Sequence, residues 1–251
     1  MAVAIHVGTS GWQYRDWKER FYPKEVPQRE WLEYFSARFP VVEVNNTFYM
    51  LPKEETFDRW REGSADGFRF VVKANRFITH LKRLRDPDDP LERFWSRAVR
   101  LRPKLGPVLF QLPPNFPADH ERLDSFLRAL PRDMEAAFEF RHPTWETGET
   151  YRLLDQAGCA WVLADRPGWW VDEVVTGGWS YVRFHHGRRT GPGYARTKLR
   201  RWAGRLAGMK ADDVYVFFNN DPTGAAIRDA YALTGLLAEE GADVRGPVRD
   251  R

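Results

Sequence analysis

Glu135-Ala-Ala-Phe-Glu-Phe-Arg-His-Pro-Thr-Trp145 begins as an apolar run of strand type and stops abruptly in Glu139, Arg141 and His142, closed by Pro143 and Trp145. A strand sends alternate side chains to opposite faces, so Glu139 and Arg141 share one side while Phe138 and Phe140 take the other. With the phenylalanines packed under helices, a carboxylate and a guanidinium are left inside the mouth of a sheet, where buried charges must be paired. The plainer reading of the same pair is a structural plug.

The pattern of a short apolar run ending in polar residues recurs along the chain. Strands are expected at Ile5–Gly8, Val41–Val44, Phe68–Lys73, Val108–Gln111, Ala136–Phe140, Trp161–Ala164, Tyr181–His185 and Val214–Phe218. Such runs suit a parallel sheet covered on both faces. Helical spacing of apolar residues marks Trp31–Phe39, Leu91–Arg102, Asp119–Ala129, Glu149–Ala157, Arg196–Leu206 and Thr223–Glu240 between them. Strand alternating with helix implies right-handed crossovers. Eight strands in 251 residues predict an α/β fold of one TIM-type (β/α)8 barrel spanning 1–251, with a fraying polar tail from about Gly246. No glycine-rich dinucleotide fingerprint follows any strand, and the sequence names no cofactor.

Composition narrows the function classes. Hydrophobic residues make 43% and charged residues 29% of the chain, the balance of a protein with a sizeable core. A net charge of +4 mildly favours an anionic partner but is too small for a nucleic-acid coat. The single cysteine, Cys159, excludes an internal disulfide and, at a strand entry, reads as a small apolar core residue. With no membrane-length apolar run and no signal-like N-terminus, a cytoplasmic protein is expected. The aromatic loops 9–28 and 166–179 are candidate lids over the barrel mouth.

In a barrel of this kind the polar residues just past the strand ends converge on one face. They are Gly8-Thr-Ser-Gly-Trp12 after strand one, Glu43, Asn45, Asn46 and Tyr49 after two, Lys73 and Asn75 after three, Gln111 after four, and Glu139, Arg141 and His142 after five. Asp165 follows strand six, Arg183, His185 and His186 strand seven, and Asn219, Asn220 and Asp221 strand eight. The opposite strand ends carry no comparable concentration. Glu43 and Glu139 are a candidate acid/base pair, which a separation of about 5–10 Å would suit to glycosidase-like work. Lys73 is a candidate amine nucleophile or anion-holding cation. Arg141, Arg183 and His185 form a candidate anion clamp, joined by the helix N-terminus after Asp221-Pro222. His142, His185, His186, Asp165 and the glutamates lack metal-ligand spacing within any element, so no metal site is expected.

Several stretches together resemble a known family. Gly8-Thr-Ser-Gly-Trp12, Phe21-Tyr-Pro23, Val42-Glu-Val-Asn-Asn-Thr-Phe-Tyr49, Ile78-Thr-His80, Leu105-Gly-Pro-Val-Leu-Phe-Gln-Leu-Pro-Pro114, Glu139-Phe-Arg-His142 and Tyr215-Val-Phe-Phe-Asn-Asn-Asp221 are similar to the YecE-like proteins, domain of unknown function 72. The resemblance implies a TIM-type barrel and no assigned activity. At strand seven the chain reads Arg183-Phe-His-His-Gly187 where the family often has one histidine, and alternation from Arg183 selects His185 for the interior.

The residues then predict an enzyme acting by acid/base chemistry on an anionic, hydroxyl-bearing small molecule, such as a sugar phosphate or nucleotide. Glu43, Lys73 and Glu139 would be catalytic. Asn45, Tyr49, Gln111, Arg141, His142, Arg183, His185, Asn219 and Asn220 would bind the substrate. The rivals are a nucleic-acid-binding or phosphodiester-cleaving barrel, with aromatic and arginine side chains stacking bases, and a ligand-binding module without chemistry. Nothing in the sequence specifies the oligomeric state.

Overall fold

A computed structural model describes residues 3–165, 174–185, 193–220 and 223–248. Eight strands run parallel in sequence order: β1 Ala4–Ser10, β2 Val41–Val44, β3 Arg69–Lys73, β4 Leu105–Gln111, β5 Ala136–Glu139, β6 Ala160–Asp165, β7 Ser180–Phe184 and β8 Asp213–Phe218. The sheet closes because β1 pairs with both β8 and β2. This is a TIM-type (β/α)8 barrel.

The helices are α1 Trp31–Ser36, the short α2 Asn46–Tyr49, α3 Glu54–Glu62, α4 Asp88–Ala98, α5 His120–Ala129, α6 Gly148–Gln156, α7 Arg196–Ala207 and α8 Ala225–Glu239. Two of them, α5 and α6, start at a side-chain cap. Asp119 accepts from the Arg122 N–H at 3.1 Å, and Thr147 accepts from the Thr150 N–H, each satisfying an orphan first-turn donor. α3 escaped the sequence reading because its core face consists of only Phe57 and Trp60. After β3 stands a single π-helical turn, Phe77–Leu81, a form common at functional sites.

Alternation divides the strand residues into two cores. Phe70, Val72, Phe110, Phe138, Phe184 and Phe218 face the helices, and Val41, Val71, Leu109, Ala137, Tyr181 and Phe217 fill the barrel. Gly8 is where β1 meets β2: a Cβ there would stand 2.3 Å from the Val41 carbonyl oxygen, so only glycine permits that approach.

β1 and β2 pair only at Thr9–Val42 and Ser10–Glu43. The lower part of β1 is instead covered by a ninth strand, β9 Asp243–Arg245, also parallel to it. Beyond β9 the Val248 N–H donates to the Arg38 carbonyl at 2.9 Å, so the polar tail is tied down through this residue.

Two expectations are corrected. The aromatics of 9–28 are not a lid. Trp12, Trp17 and Tyr22 are buried in the outer core, Tyr22 stacked on Trp31 at 4.4 Å and Trp17 on Phe35 at 6.2 Å. Of the second candidate lid, 166–173 lie outside the described residues; Gly177-Gly-Trp179 stands at the opposite end, with Trp179 edge-on to Tyr215. That end is also more polar than expected: His6 bonds Asp213 at 2.7 Å and stacks on Tyr215, whose hydroxyl accepts from Arg69 at 3.1 Å.

Candidate functional site

The C-terminal ends of β1 to β5 and β7 send Ser10, Glu43, Lys73, Gln111, Glu139 and Arg183 into one buried cluster. Arg183 is its keystone. Its Nη2 donates to Glu43 Oε1 at 2.7 Å and its Nη1 donates to Glu139 Oε2. Glu43 is fully buried and its carboxylate accepts three more bonds, from Ser10 Oγ at 2.6 Å, Tyr181 OH at 2.6 Å and Asn45 Nδ2 at 3.1 Å. Burial alone would raise the Glu43 carboxyl, but the Arg183 charge and the donated bonds more than offset it and hold it at about 2. Burial and the neighbouring Glu43 charge push the Tyr181 hydroxyl well above its ordinary range, so it stays a donor.

Glu139 is bound from several sides. Gln111 Nε2 donates to Oε2 at 2.7 Å, Arg141 Nε donates to Oε1 at 3.2 Å, and His185 Nε2 stands 3.5 Å from Oε1. The amide of Gln111 turns its other end to Lys73, accepting from Nζ at 2.9 Å. The Lys73 ammonium also lies over the Phe48 ring, 4.1 Å from its centroid. Arg141 is 29% exposed and borders the solvent side of the cluster. Burial, then the charge of Arg183, lower its guanidinium to about 10, which still leaves it protonated at neutral pH.

A family model described as "Protein of unknown function DUF72" matches residues 6–250. The chain belongs to the DUF72 family. The UPF0759 protein YecE of Escherichia coli (strain K12) is 34% identical over 64% of this chain, which spans 59% of that relative's length. The UPF0759 protein YunF of Bacillus subtilis (strain 168) is 27% identical, with 93% of this chain and 94% of YunF aligned. A DUF72 family protein of Thermotoga maritima MSB8 superposes with a TM-score of 0.80 at 29% identity, covering 94% of this chain and 98% of its own. At 20% identity, a DUF72 family protein of Enterococcus faecalis V583 shares the fold, with a TM-score of 0.75 over 93% of this chain and 95% of its own.

The motifs that carry the family resemblance supply most of the cluster: Ser10, Glu43, Asn45, Gln111, Glu139 and Arg141. Other expected site residues fall around it. His185 does face inward, between Glu139 and Asn219, whose Nδ2 is 3.3 Å from Nδ1 of the ring. Tyr49 stands at the rim, 73% exposed. His186 and Asp221 lie outside the described residues.

Three roles change. Arg183, 1% exposed with both terminal nitrogens on carboxylates, has no fork to offer an anion. Its guanidinium also fills the gap between Glu43 and Glu139, so there is no room there for a glycosidic bond and its water. Asn220 turns away from the mouth to donate to Asp229 of α8 at 2.8 Å. His142, on the opposite side of the strand end from Arg141, takes the Thr144 hydroxyl and N–H and caps the turn Pro143–Trp145.

Two residues were missed as site residues, Tyr181 on the Glu43 carboxylate and His80 on the turn after β3. His80, on the π turn, packs edge-on to Phe48 at 4.8 Å. Burial, followed by the positive charges of Lys73 and Arg141, lowers its imidazole to about 4. It is a neutral base among cations. The signal was present, since it lies seven residues past Lys73 in a stretch already quoted, but nothing local showed that the chain returns to the mouth. Among the described residues, no three His, Cys, Asp or Glu side chains are grouped to hold a metal ion.

Proposed function

We propose that the mouth binds an anionic, hydroxyl-bearing small molecule of the sugar-phosphate or nucleotide kind and that the barrel is an enzyme acting on it by proton transfer. The observation that carries the reading is the charge balance of the cluster. Its cations are Lys73, Arg141 and Arg183 and its carboxylates Glu43 and Glu139, and Arg183 already bridges both carboxylates. The cluster therefore keeps one positive charge in excess, with Arg141 bordering solvent and Lys73 buried, in a low-dielectric surround that strengthens attraction for an anion.

In this reading Glu43 is a fixed anion that aims Arg183, because a carboxyl held at about 2 by four donor groups does not exchange protons at neutral pH. Proton transfer falls to Glu139, which borders the mouth beside Arg141 and His185, and to neutral His80. A ligand-binding module without chemistry is the second reading, favoured by the number of bonds already made to Glu139. The buried thiol of Cys159, pushed by burial up to about 12, is unreactive and in keeping with a cytosolic protein.

The test is thermal protection by inorganic phosphate or sulfate. An anion at ten times its Kd adds about 1.4 kcal/mol, a rise of roughly 3–6 °C for a chain of this size. Arg141→Ala removes that rise, and melting of the parent protein that ignores both anions sinks the proposal. Mass spectrometry of small molecules retained through purification then separates substrate turnover from simple retention.

A further inference from the structure

Among the described residues the large apolar side chains left exposed are Tyr49, Met50, Phe77, Leu81 and Val248. All but Val248 belong to two short segments beside the mouth: the end of α2 with the residue after it, and the π turn. Clustering of this kind marks a binding surface rather than ordinary scatter. Between the two segments and α4 lies a groove of 420 Å³, lined by Tyr49, Met50, Asn75, Phe77, Asp89 and Arg93 among others, within the range of small-molecule sites.

The groove is linked to the cationic mouth through the contacts of Phe48. Phe48 is the hinge between them: Lys73 Nζ is 4.1 Å from its ring centroid, His80 is 4.8 Å away, and Tyr49 packs edge-on to it at 5.0 Å. A ligand anchored on Lys73 is thus one ring away from Tyr49.

The two ring-bearing segments are also held at fixed spacing. Asn75 donates to the Thr47 carbonyl of α2 at 2.9 Å and accepts from the Phe77 N–H of the π turn at 3.0 Å. Thr47 Oγ1 in turn donates to the Lys73 carbonyl at 2.7 Å. Rings exposed to water yet pinned by their backbone are pre-organised for a flat partner, which lowers the cost of binding it. Asp89 and Arg93 place an acceptor and a donor along the wall of α4, as a polar-edged ring requires and a plain hydrocarbon does not.

We propose that the ligand is a mononucleotide, with its phosphate on Lys73 and Arg141 and its base laid in the groove against Tyr49 and Phe77. The proposal rests on the anion reading above and sharpens it from phosphate-bearing sugars at large to those carrying a base.

The experiment is calorimetric titration of the full chain with inorganic phosphate, ribose 5-phosphate, AMP, UMP and a ten-residue oligothymidylate. Base stacking on one aromatic ring corresponds to roughly 5- to 150-fold in affinity. AMP or UMP is expected to bind tighter than ribose 5-phosphate by a factor in that range. Tyr49→Ala and Phe77→Ala, both at exposed positions, are expected to bring the nucleotide down to the sugar phosphate while leaving phosphate binding in place, and Tyr49→Phe to keep the preference. Equal binding of nucleotide and ribose 5-phosphate by the parent protein overturns the base site and leaves the anion reading standing. Failure of every phosphate compound overturns both. Oligothymidylate far tighter than UMP, with a steep salt dependence, overturns the mononucleotide in favour of a strand of nucleic acid.

Discussion

At the strand N-termini the barrel is stopped by rings, with His6 stacked on Tyr215 at 4.7 Å and Trp179 edge-on to the same tyrosine, tied at their edges to Asp213 and Arg69. At the C-termini it is stopped by charge, with one guanidinium locked between two carboxylates, a buried ammonium beside them and a second guanidinium at the rim. Burial also acts differently at the two ends. It pulls His6 below its ordinary range although Asp213 opposes, whereas at Glu43 the donated charge overrides burial and the group stays ionised. A plug built for stability alone can neutralise its titratable groups. The upper end instead keeps several charges ionised under cover, the costlier arrangement and the one that suits a site.

The comparison breaks most visibly at Arg183. Arg183→Met leaves two buried carboxylates without their shared cation and is expected to cost about 3–5 kcal/mol of unfolding free energy in a denaturant titration. A loss below about 1 kcal/mol contradicts the keystone role.

Acid separates the ends next. Both His6 and Glu43 have folded-state values below their ordinary ones, so each adds stability above the ordinary value and loses it as the pH falls. For His6 the loss begins below about 6.5, and for Glu43 it begins below about 4.5 and runs to about 2. Stability measured against pH should therefore fall in two stages. His80, at about 4, shares the first of them. His6→Gln together with His80→Gln is expected to flatten that stage and leave the second, and a single stage unaffected by both variants counts against the contrast.

The tyrosines give the smaller effects. Tyr181→Phe removes a buried hydrogen bond to an ionised carboxylate and is expected to cost about 1.5–3 kcal/mol, and Tyr215→Phe less, because its partner Arg69 is exposed and water can replace the lost bond. Equal costs would mean that the Glu43 network is no stronger than the lower plug.

The fold was legible because each strand is an apolar run that ends in a polar residue, and the alternation of Glu139 with Phe138 and Phe140 was enough to orient the upper cluster. What eluded the sequence has a common cause, that burial partners are non-local. Tyr181 reads as one more aromatic in a strand, and its bond to Glu43 spans 138 positions. His6, Arg69 and Asp213 come one to a strand, so no stretch of chain reveals that they meet. The aromatics of 9–28 looked like a lid because ring content is the same whether the rings cover a mouth or wedge under α1. Alternation puts Arg183 inside, but its pairing with both Glu43 and Glu139 is not written in the chain, since a sequence shows which charges converge but not which of them saturate one another.

The seam between β1 and β9 gives the barrel a mechanical character. Both strands point the same way, and their three-residue register joins Ala4–His6 to Asp243–Arg245. Tension applied through the chain before β1 and after β9 pulls the two strands in opposite directions along their length. Their hydrogen bonds are then loaded together in shear rather than opened one at a time. Stretched by its flanks, the barrel carries the load at a clamp, at the strand ends opposite the polar cluster.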